Sequence, residues 1–282
     1  MTSTDLRLGF FAESDGGFEP QRLARSSWGH GTLHGSAVCG LVARQLERDH
    51  GREGFVPSRL TVDIFKPVRS ELTTVQTRIV RAGNRIVVAD ADVLQDGEVV
   101  TRATLVLLRA GEAPAGELWT KVNPVPHPPD TLGIDWSGPG APLFSSDDGA
   151  EVWSSSMPDH QGNGRKRMWQ RQLDVVVGEV SSPFVRAATV GEMTSLMTNW
   201  GSEGVGYINA DLTMVVSRLP VSDDLGLEAE NHFAAGGISV GSTTMYDRQG
   251  AFGTCVVTAL SNARRQIDFG QDKFRVGARA AL

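Results

Sequence analysis

Apolar and polar residues repeat along this chain with two periods, and the order in which those periods occur predicts its architecture. Leu33, Ala37, Val38, Leu41, Val42 and Leu46 recur at helical spacing, which places them on one face of a helix. Gly51 lies just beyond, where helices commonly stop. The pattern therefore predicts a helix over 33–48. Four strand-like runs follow, SRLTVDIFKPV, ELTTVQTRIVRAG, RIVVADADVLQDG and EVVTRATLVLLRA, punctuated by Pro67, Gly83 and the pair Asp96-Gly97. Such runs between turn residues read as an antiparallel meander.

The same order returns in the second half. Val190, Met193, Leu196, Met197 and Trp200 predict a helix over 190–201, and YINADLTMVVSRLP, LGLEAENHFAAG, ISVGSTTMYDRQG and AFGTCVVTALSN predict its strands. Seven of the 13 prolines fall between Pro114 and Pro142, a stretch that can sustain neither helix nor ladder and reads as a linker. The expected division is an N-terminal repeat over 1–112, a linker over 113–148 and a C-terminal repeat over 149–282.

Self-comparison supports a duplication. An offset of 153 (220 − 67 and 250 − 97) pairs Pro67 with Pro220 and Gly97 with Gly250. It also pairs Val68 with Val221, Leu72 with Leu225, Ala82 with Ala235, Gly83 with Gly236, Val87 with Val240, Thr101 with Thr254 and Leu107 with Leu260. Turn residues are among these identities, and turns demand particular backbone angles. A long helix followed by a meander, occurring twice, implies an α+β fold in which each antiparallel sheet wraps one helix. The two sheets are expected to pair edge to edge, since pairing protects otherwise open strand edges.

Charge and composition narrow the function. With 27 Lys and Arg against 33 Asp and Glu, the net charge is −6 and the basic residues are dispersed, unlike a nucleic-acid-binding footprint. No segment approaches the roughly 18 apolar residues of a membrane span, and the N-terminus lacks a charged start followed by an apolar run, so a soluble cytoplasmic protein is expected. Cys39 and Cys255 each lie in an apolar pattern and read as buried free thiols.

Two places could carry chemistry. The first helix opens with WGHGTLHG, from Trp28 to Gly35. Glycines there would let a carbonyl approach the free N–H groups of a helix N-terminus, donors that can stabilise an oxyanion. Gly31 and Gly35 could instead serve only close packing. Asp211 interrupts an apolar strand, and a carboxylate there needs a reason: a base, or a partner to backbone or Arg groups. His30 and His34 are four apart, a spacing that can hold a metal, but no nearby carboxylate or cysteine completes a site, so no metal is expected. Arg165, Lys166 and Arg167 could meet phosphates or could be a solvated loop. There is no GxSxG elbow, Walker loop or dinucleotide-binding GxGxxG in strand-to-helix context.

With these features the chain resembles the type II acyl-coenzyme A thioesterases, whose architecture is the double hotdog, two fused hotdog units. In that family the first helix start reads Phe-Gly-Gly-Gln followed by a glycine and an alanine. Gly31, Gly35 and Ala37 match the second glycine, the later glycine and the alanine, whereas His30 and Thr32 replace the first glycine and the glutamine. The family's catalytic strand reads Ile-Asp, a hydroxyl residue, Met, hydrophobics and Arg-Pro; Asp211, Thr213, Met214 and Arg218 fit it, with Leu219 as an extra residue before Pro220. There the aspartate works with a Ser or Thr and a Gln on the attacking water, and counting from Gly250 puts His232 and Thr258 at those two positions. The resemblance implies hydrolysis of an acyl thioester, with Asp211, His232 and Thr258 acting on water and Gly31, Thr32, His34 and Gly35 around the carbonyl. Arg165, Lys166 and Arg167 would meet the coenzyme A phosphates. It implies no cofactor, a coenzyme A or acyl-carrier thioester as substrate, and assembly into a homodimer.

The repeat adds an independent point. The offset of 153 sets His232 opposite Ile79 and Thr258 opposite Leu105, and the extra Leu219 sets Asp211 opposite Arg59. The polar candidates of one half thus lack counterparts in the other, which suggests one composite site. Hotdog folds also host hydratases and dehydratases, but an HxxxGxxxxP motif in the first half and an aspartate on the second helix are missing. An inactive acyl-coenzyme A-binding protein is the third alternative.

Overall fold

The computed structural model describes residues 8–26, 29, 31–121, 124–148 and 152–271. The hairpin β1 (Gly9–Ser14) and β2 (Gly17–Pro20) precedes α1 (Gly35–His50). Four long strands follow: β3 (Phe55–Ile64), β4 (Thr74–Ala82), β5 (Ile86–Gln95) and β6 (Glu98–Arg109). The segment expected as linker ends in a short strand, β7 (Leu143–Ser146). Then come β8 (Lys166–Gln170), β9 (Asp174–Val176), α2 (Pro183–Gly191) and α3 (Thr194–Asn199). Short strands β10 (Trp200–Gly201), β11 (Gly204–Val205) and β12 (Tyr207–Asn209) lead into β13 (Asp211–Val216). The second meander closes with β14 (Leu225–Ala235), β15 (Ile238–Asp247) and β16 (Gly250–Ser261).

One antiparallel sheet runs through both halves in the order β4-β5-β6-β3-β13-β16-β15-β14-β8-β7, with β12 also paired to β16. The seam is β3 against β13, where Leu60 faces Met214 and Val62 faces Leu212. All four are fully buried, and each such side chain contributes about 1.5–3 kcal/mol. The edge-to-edge pairing and the α+β architecture expected from the repeat are both present, in the double-hotdog arrangement that the resemblance implies. A second sheet, β2-β1-β9, pairs β1 in parallel with β9, Gly9 opposite Asp174 and Phe11 opposite Val176. It ties the start of the chain to the second half.

Helix α1 buries Ala37, Val38, Leu41, Val42 and Leu46 as its stripe predicts, and also Cys39 and Ala43 on the other side, because α2 packs there. At the crossing, a Cβ on Gly40 would lie 2.7 Å from Thr189 Oγ1 and from Val175 Cγ2, so only glycine permits this approach.

The second helix departs from the expected 190–201. It begins at Pro183, capped by the Ser182 hydroxyl, which accepts the Val185 N–H at 3.2 Å, a Ser-Pro start signal in its usual place. It is broken at Glu192–Met193, where Met193 N–H turns to Val190 O at 3.0 Å, and resumes as α3.

The ladder also corrects the repeat register. The hairpins close with Gln95 opposite Glu98 and Asp247 opposite Gly250, an offset of 152 (247 − 95 and 250 − 98) rather than 153. Thr258 therefore corresponds to Val106, on the same partly exposed face, and not to the buried Leu105. A one-residue slip changes the face of every side chain in a strand. The correspondences of Asp211 with Arg59 and of His232 with Ile79 stand, since β14 and β4 carry their bulges at different places. Among the described residues no helix is long and apolar enough to cross a membrane.

Candidate active site

The N-terminus of α1 is fixed from both sides of the chain. Leu33 N–H donates to Val68 O at 2.8 Å and His34 N–H to Ala24 O at 3.0 Å. His34 is the cap: its Nδ1 accepts the Ala37 N–H at 3.2 Å, while Nε2 lies 3.0 Å from Leu23 O. A carbonyl can only accept, so the proton sits on Nε2. Burial pushes His34 below the usual imidazole range, the Leu23 carbonyl acting in the opposite direction. A neutral imidazole is what this cap requires.

Facing this turn is Glu192, at the break between α2 and α3. Its Oε2 accepts the Ser36 hydroxyl at 3.0 Å, and the Asn209 amide reaches Oε1 at 3.4 Å. A Cβ on Gly35 would come within 2.0 Å of Oε1, so the absence of a side chain at 35 creates the space the carboxylate occupies. Burial raises the Glu192 carboxyl to about 7, with hydrogen bonds from Ser36 and Asn209 pulling it down. A carboxylate in a dry site, against the positive end of a helix and half-ionised near neutrality, can accept and return a proton. Glu192 is not among the residues that the sequence singles out for chemistry. The available signal is a single carboxylate among the apolar positions Val190, Met193, Leu196 and Met197, and an uninterrupted helix over 190–201 hides the break that aims it at α1.

Of the four residues expected around a carbonyl, His34 and Gly35 are at the helix start. Gly31 and Thr32 precede it in a turn: Gly31 has φ +74°, and Thr32 donates its N–H and its hydroxyl to Gly29 O at 3.4 and 3.0 Å. The Thr32 amide is thus engaged within this turn. Trp28 and His30 lie outside the described residues.

Asp211 and Thr258 are brought together. Thr258 donates its N–H to Asp211 Oδ1 at 2.8 Å and its hydroxyl to Oδ2. Both lie on the partly exposed sheet face, opposite the buried Leu212, Met214 and Val257. His232 does not join them. A bulge between Ala229 and Asn231 shifts the alternation by one, so His232 pairs with Gly241, whose missing side chain points at Thr198 of α3. His232 therefore faces the helix side. There it lies edge-on to Tyr207, 6.1 Å between ring centres, in a cleft of about 610 Å³ that Lys166, Met197 and Trp200 also line.

The basic run is used within the fold. Arg165 pairs with Asp147 and Glu228 at 3.2 and 3.3 Å, and Arg167 with the same two carboxylates at 2.7 and 2.8 Å. Lys166 is buried, its Nζ donating to Gly162 O and Gly164 O at 3.0 and 2.7 Å. That burial removes Lys166 from any phosphate-contacting set. Among the described residues no cluster of His, Cys, Asp and Glu could hold a metal ion. Cys39 and Cys255 are buried, and burial pushes both thiols up, Cys255 to about 12, so neither is an available nucleophile.

Residues 24–108 match the family described as acyl-CoA thioesterase N-terminal domain, and residues 120–260 the acyl-CoA thioesterase C-terminal domain. No curated protein matches. Among solved structures, a tesB protein of Mycobacterium avium subs paratuberculosis is similar at 18% identity and TM-score 0.60, over 82% of this chain and 87% of that one. The acyl-CoA thioesterase II TesB2 of Mycobacterium marinum is similar at 15% and 0.58, over 80% and 89%. A conserved protein with a hot dog fold from Alicyclobacillus acidocaldarius is similar at 16% and 0.59, over 88% and 94%. At such identities these structures speak to the fold alone.

Proposed function

Because the chain belongs to the acyl-CoA thioesterase family, we propose that it hydrolyses an acyl-coenzyme A thioester at the start of α1, with Glu192 as the proton acceptor. The observation that carries this reading is the Glu192 carboxylate lodged over Gly35 and bonded to Ser36. The thioester carbonyl approaches the α1 N-terminus, where the helix dipole favours the oxygen charge that develops on attack. Water adds to the carbonyl carbon and gives a proton to Glu192. The tetrahedral adduct then collapses with cleavage of the C–S bond, and Glu192 returns the proton to the departing sulfur. The products are a carboxylic acid and the coenzyme A thiol.

A second reading keeps the sequence expectation, in which Asp211 orients the water with Thr258; the two hydrogen bonds between them favour it. Its weakness is that His232 lies across the sheet. Thiol release from a panel of acyl-coenzyme A and acyl-carrier thioesters by the purified protein, its Glu192→Gln variant and its Asp211→Asn variant decides between the readings. No release from any thioester would refute both, and hydration of a crotonyl ester would replace them with the hydratase alternative. Assembly into a homodimer is a further expectation, which light scattering tests.

A further inference from the structure

The cleft of about 610 Å³ beside α3 has the size of a small-molecule site, and its wall carries two accessible aromatic rings. His232 is exposed and Tyr207 half-buried, and they stand edge-on with 6.1 Å between ring centres. Both face the helix side of the sheet. His232 pairs with Gly241, whose missing side chain points at Thr198, and Tyr207 shares a face of β12 with Asn209, which reaches Glu192. The cleft therefore begins about 7 Å along the strand from the Glu192 contact, a separation that a pantetheine arm spans. Hydroxyl and amide side chains, Asn163, Ser202, Ser261 and Gln266, also line it. Flat rings and hydrogen-bonding groups suit a nucleobase and its ribose better than an acyl chain.

The charge around the cleft depends on which sheet face each side chain takes. Glu230 turns away from it: its carboxylate accepts the Thr244 hydroxyl at 2.7 Å and pairs with Lys121 at 2.7 Å, and Thr244 lies on the face opposite the buried Thr243 and Met245. Arg165 is committed to Asp147 and Glu228, and Lys166 to two backbone carbonyls. Beyond β16 the chain makes a 3₁₀ turn, Ala263–Arg265, and Ala263 and Gln266, three residues apart, stand on the cleft side. Arg264 and Arg265 lie between them, exposed at the rim. Neither guanidinium has a hydrogen-bond or ion-pair partner among the described residues. Against them stands Glu203, so the rim favours an anion.

We propose that this cleft recognises the nucleotide end of coenzyme A, the adenine lying against the Tyr207 and His232 rings and the phosphates meeting Arg264 and Arg265, since guanidinium groups match phosphate geometry. The proposal rests on the thioesterase reading of the Glu192 site and adds the carrier to it: coenzyme A rather than an acyl-carrier protein, whose phosphopantetheine bears no adenosine. It gives His232 a place on the cleft wall, away from the attacking water. It also moves the phosphate contact from the internally paired Arg165 and Arg167 to the turn after β16.

The test compares octanoyl-coenzyme A with octanoyl-pantetheine, which share the reacting thioester and differ by the nucleotide. In the Arg264→Ala/Arg265→Ala double variant, KM for the coenzyme A ester should rise about tenfold or more relative to KM for the pantetheine ester, as charge-assisted contacts to phosphate are lost. His232→Ala should shift the same ratio in the same direction through KM, by lost stacking, whereas a residue acting on the water would lower kcat for both esters. An unchanged KM ratio in the double variant, or a His232→Ala effect confined to kcat, overturns the proposal. Calorimetry with adenosine 3′,5′-bisphosphate, which has no thioester, reads the cleft without turnover. The native protein should bind it, and the double variant about tenfold or more weakly. No binding by the native protein, or equal binding by both, overturns the proposal. If no thioester is hydrolysed while the bisphosphate binds as expected, the enzymatic reading falls and the cleft stands as a coenzyme A site.

Discussion

Replacing Glu192 by Gln preserves the side chain's shape and hydrogen-bonding reach while removing its negative charge and its basicity. The carboxyl is raised from 4.5 to about 7 by burial, and each unit corresponds to about 1.36 kcal/mol. The ionised side chain therefore costs the fold about 3 kcal/mol at pH 8 relative to the protonated one. The folded pKa is the higher, so the folded state binds more protons between 4.5 and 7. Stability from this group is complete below 4.5 and is lost as pH rises through about 7. Glu192→Gln does not titrate and should lack this loss, unfolding at higher denaturant than the native protein at pH 8 and with little difference at pH 4.5. Turnover should move the other way, falling by about 10² to 10⁴ if Glu192 accepts the proton. Chemical unfolding at the two pH values and thiol release on one preparation measure both effects. A Gln variant with near-native turnover removes Glu192 from the mechanism, and an unchanged pH dependence of stability removes the buried-charge argument.

Native kcat/KM should rise with pH and level off above about 7, the value to which burial takes Glu192; a flat profile between pH 5 and 8 would contradict it. Gly35→Ala places a methyl where the Glu192 oxygen now sits, so it should lower turnover strongly and cost about 1–3 kcal/mol, read by activity and thermal melting. Asp211→Asn should lower stability by about 1 kcal/mol through the Thr258 pair and leave turnover within a few-fold; a loss of about 10² would favour the second reading instead. Replacing Arg165 and Arg167 together by Ala strips Asp147 and Glu228 of their arginine partners and should lower the melting temperature. It should raise KM equally for coenzyme A and pantetheine esters, and a larger rise for coenzyme A would restore the phosphate role.

The sequence alone carried the architecture, because both of its signals are local. The stripe from Leu33 to Leu46 and the alternation in RIVVADADVL require only neighbouring residues to be read. Shared turn residues exposed the duplication, and the duplication implied the seam between the halves. The helix starts were partly legible: Ser182-Pro183 is a start signal, but the apolar stripe from Val190 to Trp200 overlaps only the end of α2 and α3. The association of Asp211 with Thr258 was implied by the family resemblance, which sets both on the attacking water.

What only the tertiary structure decided depends on single-residue shifts and on contacts between distant segments. Nothing near His232 in sequence announces the bulge that turns it to the helix side, because a bulge is set by how two strands pair. Likewise the hairpin ladder, and not the matched glycines, set the repeat at 152 and moved Thr258 off the core face. The candidate site is a meeting of Gly35 and Ser36 with Glu192, some 156 residues later. Neither side is unusual by itself: a glycine at a helix start and a glutamate within a helix are ordinary. Only when α1 and the break after α2 pack together does the glycine make room, does burial raise the carboxyl, and does a helix end face a group able to take a proton.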